Sequence, residues 1–329
     1  MIDVNLEVIG CGDAFGSGGN LHTCFYVSSA SVNLLIDCGA STGPALNRRH
    51  HDIASLDYIV LSHLHGDHYG GLPFMLLDSL QTPRLKPLHI IGPVGTKERT
   101  TKLFDLLYPG SIRNLDATKF IYTEYTAQQE VITADFTLQA FPVIHTEEAM
   151  PHGLRLTLHG KVISYSGDTS WCDQLIPLAD EADLFICECT FFNTHAKGHL
   201  NYQTIMQHRD ELRCKNLLLT HFDQEMLDAA DQVLVKRRFS AFFPNSCDLP
   251  EKLLANGIET IVLAGTTTDV CVESTARDAM MYNYRVIVVE DATGALTDAA
   301  HHNALGVMAM HFADVMPSQM VLERLRNSG

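Results

Sequence analysis

Three histidines and an aspartate lie within the six-residue run His63–His68 (HLHGDH), directly after an apolar stretch of strand character. Side chains two residues apart in a strand lie on the same face, so His63 and His65 can bind one metal ion. The glycine turn that follows allows Asp67 and His68 to bind a second ion. Imidazole and carboxylate groups favour zinc, iron or manganese over calcium or magnesium. The run therefore predicts half of a two-metal site at the end of a strand.

Further candidate ligands follow downstream, each at the end of an apolar stretch of strand character: His145, Asp168 and His221. Loops at one edge of a sheet open onto a shared cleft, so residues at strand ends are well placed to meet. A single histidine at a strand end is more often a hydrogen-bonded structural residue than a ligand. Three such strand ends in addition to the run at 63–68 favour the metal-ligand interpretation.

In these motifs the chain resembles the metallo-β-lactamase superfamily, and within it the ribonuclease Z-like branch, over about residues 4–232. The resemblance rests on an ordered set of segments: Gly10–Asp13, Leu35–Gly39, Leu61–His68, Gly70–Pro73, Ser166–Thr169 and Thr220–Phe222. It implies an α/β fold class, with an αββα metallo-β-lactamase sandwich that holds two metal ions at one edge. Residues 1–232 are accordingly predicted to form a dinuclear metal hydrolase domain.

The resemblance also implies how the ligands are shared between the ions. They divide into three on the first ion, three on the second and one bridging residue: His63, His65 and His145; Asp67, His68 and His221; and Asp168. Two zinc ions are the expected cofactor, with manganese or iron as alternatives. The expected nucleophile is a metal-bridged hydroxide, because the ions lower the pKa of a bound water towards neutrality. Asp67 is also expected to act in catalysis by orienting or deprotonating that water.

His199 is a further catalytic candidate, in the segment Gly198-His199-Leu200-Asn201 upstream of the last ligand. Ribonuclease Z-like phosphodiesterases have a histidine in a similar place that assists the leaving group. An alkoxide leaving group needs a proton, and an imidazole beside the metals can supply it. The alternative is a structural histidine close to the N-cap of a helix that starts near Asn201.

The net charge of the chain limits the classes of partner that it is expected to bind. The 329 residues carry a formal net charge of −16 and the sequence pI is near 5.4. An acidic surface repels polyanions, so nucleic acid is a poor partner and the tRNA-processing version of the resemblance is weakened. A small-molecule substrate is favoured, and the metals and His199 can accommodate a phosphodiester locally.

Neither export nor membrane insertion is indicated. No stretch of about 18 uninterrupted apolar residues occurs, and the N-terminus lacks the basic and apolar regions of a signal peptide. The nine cysteines are scattered, and an odd number without a signal peptide is typical of reduced thiols. We therefore expect a cytoplasmic protein with no membrane partner.

Beyond about residue 233, short buried-strand runs alternate with helical segments, which is typical of a parallel sheet. The predicted strands are Val233–Val235, Thr260–Ala264, Arg285–Val289 and Val307–Met310. A polar turn follows the second run, and a helix is expected to begin close to Cys271. A helix N-terminus lowers the pKa of a thiol and offers N–H groups to an oxyanion. Cys271 is therefore a candidate nucleophile, and an inert thiol at a helix start is the alternative.

The segment 233–325 resembles part of the isochorismatase-like cysteine hydrolases. The matching segments are Lys236–Phe242, Thr268–Ala279 and Asp291–Ala295. The resemblance implies Cys271 as nucleophile, Lys236 as its charged partner and a cis peptide bond between Thr266 and Thr267. The Asp-x-Gln segment that supplies the general base of that family is absent, and a nucleophile without its base is weak. Residues 233–329 are therefore predicted to form a truncated three-layer αβα parallel-sheet domain, inactive or accessory.

Three hypotheses follow. The leading one is a metal-dependent hydrolase that acts on a small phosphodiester or related ester. The second is a bifunctional protein with an additional Cys271-dependent amidase or isochorismatase-like activity. The third gives the C-terminal half a role in homo-oligomers, through the strand edge that its missing half leaves unpaired. Within the first class a lactonase or thioesterase is the rival, because the metal ligands do not choose between carbon and phosphorus electrophiles.

Overall fold

The structure is a computed structural model, and it describes residues 3–82, 84–230, 234 and 236–326. The chain divides into two compact units, Met1–Asp231 and Gln232–Gly329. Each unit has its own sheets and its own hydrophobic core. No helix in the described ranges is long and apolar enough to cross a membrane.

The first sheet of the first unit has six strands that lie in chain order. Their bounds are Asn5–Gly10 (β1), Cys24–Ser28 (β2), Asn33–Ile36 (β3), Tyr58–Val60 (β4), Leu88–Pro93 (β5) and Phe120–Tyr125 (β6). Strands β1 to β3 pair antiparallel, and β3 to β6 pair parallel. The carboxyl ends of β3 and β4 therefore lie side by side, which brings the residues that follow them together.

The second sheet also has six strands, in the order β12-β11-β10-β9-β8-β7. Their bounds are Glu130–Ile132 (β7), Phe136–Pro142 (β8), His152–Leu158 (β9), Lys161–Tyr165 (β10), Leu184–Glu188 (β11) and Leu217–Thr220 (β12). Strands β7 to β10 pair antiparallel, and β10 to β12 pair parallel. The parallel part again gathers three carboxyl ends at one edge.

The two sheets of the first unit pack face to face. In β3, Leu34 and Ile36 lie in one buried cluster with Leu154 and Ile163 of the second sheet. Leu35 points to the opposite face and packs in a separate cluster beneath helices. Alternate residues of a strand point to opposite faces, so a run of consecutive apolar residues is buried on both sides.

Seven helices lie in the described part of the first unit. Their bounds are Thr42–Arg48 (α1), Gly66–Tyr69 (α2), Leu72–Gln81 (α3), Thr96–Leu107 (α4), Leu175–Ala179 (α5), Tyr202–Gln207 (α6) and Gln224–Ala230 (α7). Residues of α1, α3 and α4 cover the outer face of the first sheet, and residues of α5 and α6 cover that of the second. This is the predicted αββα sandwich.

The second unit contains one parallel three-stranded sheet in the order β13-β14-β15. Its elements are Leu249–Ala255 (α8), Thr260–Thr266 (β13), Glu273–Met281 (α9), Arg285–Gly294 (β14), Asp298–His311 (α10), Asp314–Met316 (β15) and Ser318–Arg326 (α11). In β14, Val286 and Val288 pack with residues of α9 and α10, while Ile287 and Val289 pack with Val321 of α11. Helices on both faces of a short parallel sheet form the predicted truncated three-layer segment.

One predicted strand of the second unit is wrong. Val307–Met310 lies inside α10, whose buried residues Ala304, Leu305 and Met308 recur at helical spacing. Thr297 caps this helix by accepting a hydrogen bond from the N–H of Ala300 at 3.2 Å. Periodicity cannot distinguish a short apolar run in a buried strand from one in a helix, and the cap and spacing of the whole segment decide it. The predicted strand at Val233–Val235 falls outside the described residues except for Leu234.

Candidate metal centre

Three histidines bring ring nitrogens together where the two sheets of the first unit end. His63 and His65 follow β4, and His145 follows β8. One ligand atom from each of them lies within 4.8 Å of the others. Nε2 of His145 lies 3.0 Å from Nδ1 of His65, and Nδ1 of His145 donates to the carbonyl of Gly198 at 2.7 Å. This is the donor set of a three-histidine metal site.

A second group, of buried residues, lies beside the first. It consists of Asp67, His68, Asp168 and His221, whose ligand atoms also lie within 4.8 Å of one another. Nε2 of His68 is 3.1 Å from Oδ2 of Asp67. Nε2 of His221 is 3.4 Å from the same oxygen. Helix α2, which follows β4, supplies Asp67 and His68, and the segments after β10 and β12 supply Asp168 and His221.

Asp168 lies between the two groups. Its Oδ2 is 3.3 Å from Nε2 of both His68 and His221, and 3.8 Å from Nε2 of His63. A carboxylate with donors of both groups around one oxygen has the placement that a bridging ligand requires.

Some of the buried donor atoms have no partner in the protein. Among the described residues, the buried atoms without a hydrogen-bond partner include Nε2 of His63 and Oδ1 of Asp168. Buried polar atoms without partners are costly, and coordination of a cation removes that cost. Five imidazoles and two carboxylates suit divalent transition metals.

The histidines of the first group are held neutral. Burial lowers the pKa of His63 well below its ordinary value, and the charge of His68 lowers it further. Burial also lowers the pKa of His65 and of His145. A neutral imidazole is the form that binds a metal, so these side chains do not have to release a proton first.

The second group concentrates negative charge. Burial alone would lower the pKa of His68 and His221, but the adjacent carboxylates outweigh it. As a result, the pKa of His68 lies well above its ordinary value and that of His221 rises to about 9. Burial alone would raise the pKa of Asp67 and Asp168, and the histidine contacts lower it instead. Two ionised, buried carboxylates require positive charge, which protons or a divalent cation can supply.

Asp37 orients the second group and was missed as a site residue by sequence reasoning. It is fully buried at the end of β3, and its Oδ2 accepts a hydrogen bond from Nδ1 of His68 at 2.7 Å. The same carboxylate accepts hydrogen bonds from the N–H and hydroxyl of Ser62 at 2.7 and 2.8 Å. Carboxylates of this kind fix the ring and tautomer of a ligating histidine. The available signal was its place in the matching segment Leu35–Gly39, at the end of a buried strand.

Glu188 and Thr190 form a second supporting network that sequence reasoning missed. Glu188 is fully buried at the end of β11, and its carboxylate oxygen lies 3.1 Å from Nδ1 of His199. The hydroxyl of Thr190 lies 2.9 Å from Nδ1 of His221 and 3.2 Å from Nδ1 of His199. Burial by itself lowers the pKa of His199, but the hydrogen bond and charge of Glu188 outweigh it and raise that pKa. The signal was a carboxylate at a strand end, like those of the ligands.

His199 lies two residues before the N-cap of α6. Asn201 caps α6, because its side chain accepts a hydrogen bond from the N–H of Thr204 at 2.8 Å. The ring of His199 instead stacks at 5.5 Å from the ring of His221. His199 therefore lies against the candidate metal centre.

A cavity of about 680 Å³ opens onto both donor groups. Its wall includes residues of each group and the histidine beside them: His65, His145, Asp67, Asp168, His221 and His199. An open cavity over the donor atoms is a place where a substrate can reach metal ions directly.

The described residues of the second unit do not assemble a comparable site around Cys271. This residue lies in a π-helical stretch, Thr268–Val272, that leads into α9, and the peptide bond between Thr266 and Thr267 is cis. The ammonium group of Lys236 donates to the carbonyls of Arg238 and Phe239. Within the described ranges, no hydrogen bond joins Lys236 or any carboxylate to the Cys271 thiol.

Comparison with known proteins identifies the family. The model of the family described as "Anti-Pycsar protein Apyc1" matches residues 4–243. The chain belongs to this family. The predicted resemblance to metallo-β-lactamase proteins of the ribonuclease Z-like branch is confirmed by relatives as well.

A ribonuclease Z of Ignicoccus hospitalis is 26% identical, in a match that covers 73% of this chain and 93% of the relative. The probable metallo-hydrolase YhfI of Bacillus subtilis is also 26% identical, over 66% of this chain and 86% of the relative. The crystal structure of human tRNase Z, short form, superposes with a TM-score of 0.56 at 26% identity, over 67% of this chain and 93% of that chain.

These relatives support a metal-dependent hydrolase of the metallo-β-lactamase fold. They do not extend the same support to the C-terminal segment, whose likeness to isochorismatase-like hydrolases stays a prediction.

Proposed function

We propose that the first unit is a dinuclear metal-dependent phosphodiesterase that hydrolyses a small phosphodiester. The observation that carries the proposal is the convergence of six donor residues around a seventh, Asp168, with buried donor atoms that lack a protein partner. His63, His65 and His145 would hold one ion, and Asp67, His68 and His221 the other, with Asp168 on both. Zinc fits this nitrogen-rich donor set, and manganese or iron are the alternatives.

When bound, two divalent ions polarise a phosphoryl oxygen and make water nucleophilic at neutral pH. The chain supplies the remaining chemistry. Asp67 lies on the cavity wall with its pKa lowered by His68 and His221 against the opposing effect of burial, so it is ionised. An ionised carboxylate in this place can orient the attacking water and accept its proton.

His199 completes the reaction by protonating the leaving oxygen. Its Nδ1 faces Glu188 and Thr190, which leaves Nε2 for the substrate. The buried Glu188 carboxylate stabilises the charged ring, so the proton is held ready beside the cavity. An alkoxide leaving a phosphodiester needs such an acid, whereas a thiolate leaving a thioester needs it less.

The cavity also favours a small anionic substrate. Its volume of about 680 Å³ lies within the usual range for small-molecule sites, roughly 300–1,000 Å³. Lys197 lies on its wall and adds a positive charge within reach of a phosphate. The net charge of −16 disfavours a long polyanion, which would contact more of the surface than the cavity.

The test is hydrolysis of bis(p-nitrophenyl) phosphate by zinc- or manganese-loaded protein, compared with the His221→Ala variant. We expect turnover that disappears in His221→Ala, because the second ion loses a ligand. His302→Ala is the matched control, since His302 is an exposed histidine on α10 of the second unit. It should keep full activity.

Failure of fully metal-loaded protein to turn over this diester would contradict the proposal. The same proteins would then be assayed on γ-butyrolactone-type lactones and on acyl thioesters. Turnover of either would indicate that the site acts on a carbon electrophile instead of a phosphorus one.

A further inference from the structure

The cavity over the metal centre has an aromatic side chain on its wall that the proposed chemistry does not use. Phe15 follows β1, lines the same cavity as His65 and Asp168, and is 92% exposed. A phenylalanine so exposed gains little from folding. Its place at a cavity that receives substrate indicates a partner for the ring there.

The loop that carries Phe15 is internally braced. The carboxylate of Asp13, which is 3% exposed, accepts hydrogen bonds from the N–H of Phe15 at 3.2 Å and from the N–H and hydroxyl of Ser17 at 2.9 and 2.7 Å. Gly16 adopts a φ of 67°, a conformation that glycine adopts without steric cost. The backbone beneath Phe15 is therefore fixed, and little ordering is left to be done when a ligand arrives.

The same bonds explain the role of Asp13. Its carboxylate lies on the wall of a metal cavity, yet its oxygens serve the loop. The loop therefore presents an apolar ring, rather than a charge, at this part of the wall.

The cavity wall has a polar part and an apolar part, which would contact different parts of a substrate. The donor groups and Lys197 line the part of the cavity that can receive a phosphate, and Lys197 forms no ion pair within the described structure. Phe15 offers a flat apolar surface, which suits a planar aromatic ring better than a short alkyl chain.

We propose that Phe15 determines specificity by stacking on an aromatic ring carried by the substrate alcohol, so that ring-bearing phosphodiesters are preferred to alkyl ones. This inference rests on the proposed function. A stacking contact accepts any ring with a π face, so Phe15 selects the class of substrate and not one base.

The experiment compares two phosphate monoesters that differ only by a ring, adenosine 5′-monophosphate and ribose 5-phosphate. Each is used as an inhibitor of the hydrolysis of methyl p-nitrophenyl phosphate by metal-loaded protein. Phe15→Ala should raise the inhibition constant of the nucleotide roughly fivefold to a hundredfold, and leave that of ribose 5-phosphate unchanged. Phe15→Tyr should behave like the wild type, because its ring is retained.

Two controls make the result specific. Phe239→Ala removes another exposed phenylalanine, which is 67% exposed in the second unit, and should change neither constant. Phe15→Trp gives a binding signal independent of turnover: its fluorescence should change with the nucleotide and not with ribose 5-phosphate. The exposure of Phe15 means that none of its substitutions disturbs the core.

Equal inhibition by both monoesters in the wild type would overturn the inference, as would an equal rise of both constants in Phe15→Ala. In either case methyl p-nitrophenyl phosphate is still hydrolysed, and the KM of each variant is measured so that a change in the binding of its own ring does not enter the inhibition constants. Loss of the proposed function would appear differently, as metal-loaded wild type that hydrolyses no phosphodiester, and the fluorescence of Phe15→Trp would still decide the role of Phe15.

Discussion

The two units each place reactive side chains where a buried strand ends, but only the first unit holds them in position. Asp37 orients His68, Thr190 lies against His221, and Glu188 faces His199. In the second unit Cys271 follows β13 in a similar way, and no described side chain holds its thiol. A reactive residue type at a strand end is therefore insufficient, and the supporting shell separates a site from an isolated residue.

The units also differ in how well they cover their apolar side chains. Of the 21 large hydrophobic residues that are substantially exposed in the described structure, 12 belong to the second unit, which has fewer than a third of the residues. Strand β13 lies at an edge of its sheet, and its sequence from Thr260 to Thr266 contains no charge. Short sheets with uncharged edges are prone to pair with another chain.

The largest expected effect comes from removing the residue between the donor groups. Asp168→Ala should lower phosphodiester turnover by about a thousandfold or more, because metal catalysis contributes several kcal/mol. Cys271→Ala should leave turnover unchanged, because the proposed hydrolysis takes place in the first unit. Steady-state kinetics and the metal content of each purified variant check this. Full activity in Asp168→Ala with normal metal content would break the assignment of the first unit.

His199→Ala should lower turnover by roughly a hundredfold to ten-thousandfold for diesters with alkyl alcohols as leaving groups. The loss should be smaller for p-nitrophenyl esters, because p-nitrophenolate leaves without a proton. The measurement is the ratio of kcat values for the two leaving groups, with His208→Ala as a histidine control away from the donor groups. Equal losses on both substrates would remove the acid role.

Asp37→Asn tests whether the supporting shell matters. It keeps the shape of the side chain but weakens the bond to Nδ1 of His68, so metal affinity should fall by about tenfold to a hundredfold. Competition with a fluorescent zinc chelator measures the affinity, and circular dichroism shows that the variant is folded. Unchanged affinity would mean that orientation by Asp37 is dispensable, and the contrast between the units would lose its physical basis.

Iodoacetamide tests the second unit. Without a base or a charged partner at its thiol, Cys271 should react no faster than free glutathione at the same pH. Mass spectrometry of the labelled peptide over time gives the rate. Reaction much faster than glutathione would indicate an activated thiol and favour the bifunctional hypothesis.

The smallest effect concerns self-association, which we propose for the open edge of β13. Sedimentation at micromolar concentration should detect a homo-oligomer that Val262→Lys weakens, since Val262 lies on β13 and is 43% exposed. Val94→Lys is the control, because Val94 is 46% exposed in the first unit. A wild-type monomer, or equal behaviour of the two variants, would exclude this edge as the contact.

The candidate ligand types could be predicted from the sequence alone because they depend on local order along the chain, and the αββα class could be predicted because the motifs resemble a known family. An apolar run that leads to His63, Asp168 or His221 marks a strand and places a candidate donor after its end, whatever lies elsewhere. The same local information was ambiguous for Val307–Met310, where strand and helix share one apolar pattern.

The residues that support the candidate ligands, and those that line the cavity, could be identified only from the tertiary structure. Asp37 meets His68 from a different strand, and Glu188 meets His199 across a loop, so no spacing in the sequence encodes either contact. Phe15 lies near the start of the first unit's sequence, far from Asp168 along the chain, and yet both line the same cavity. These relations arise when parallel strands bring distant carboxyl ends to one edge, and a sheet edge exists only once the chain has folded.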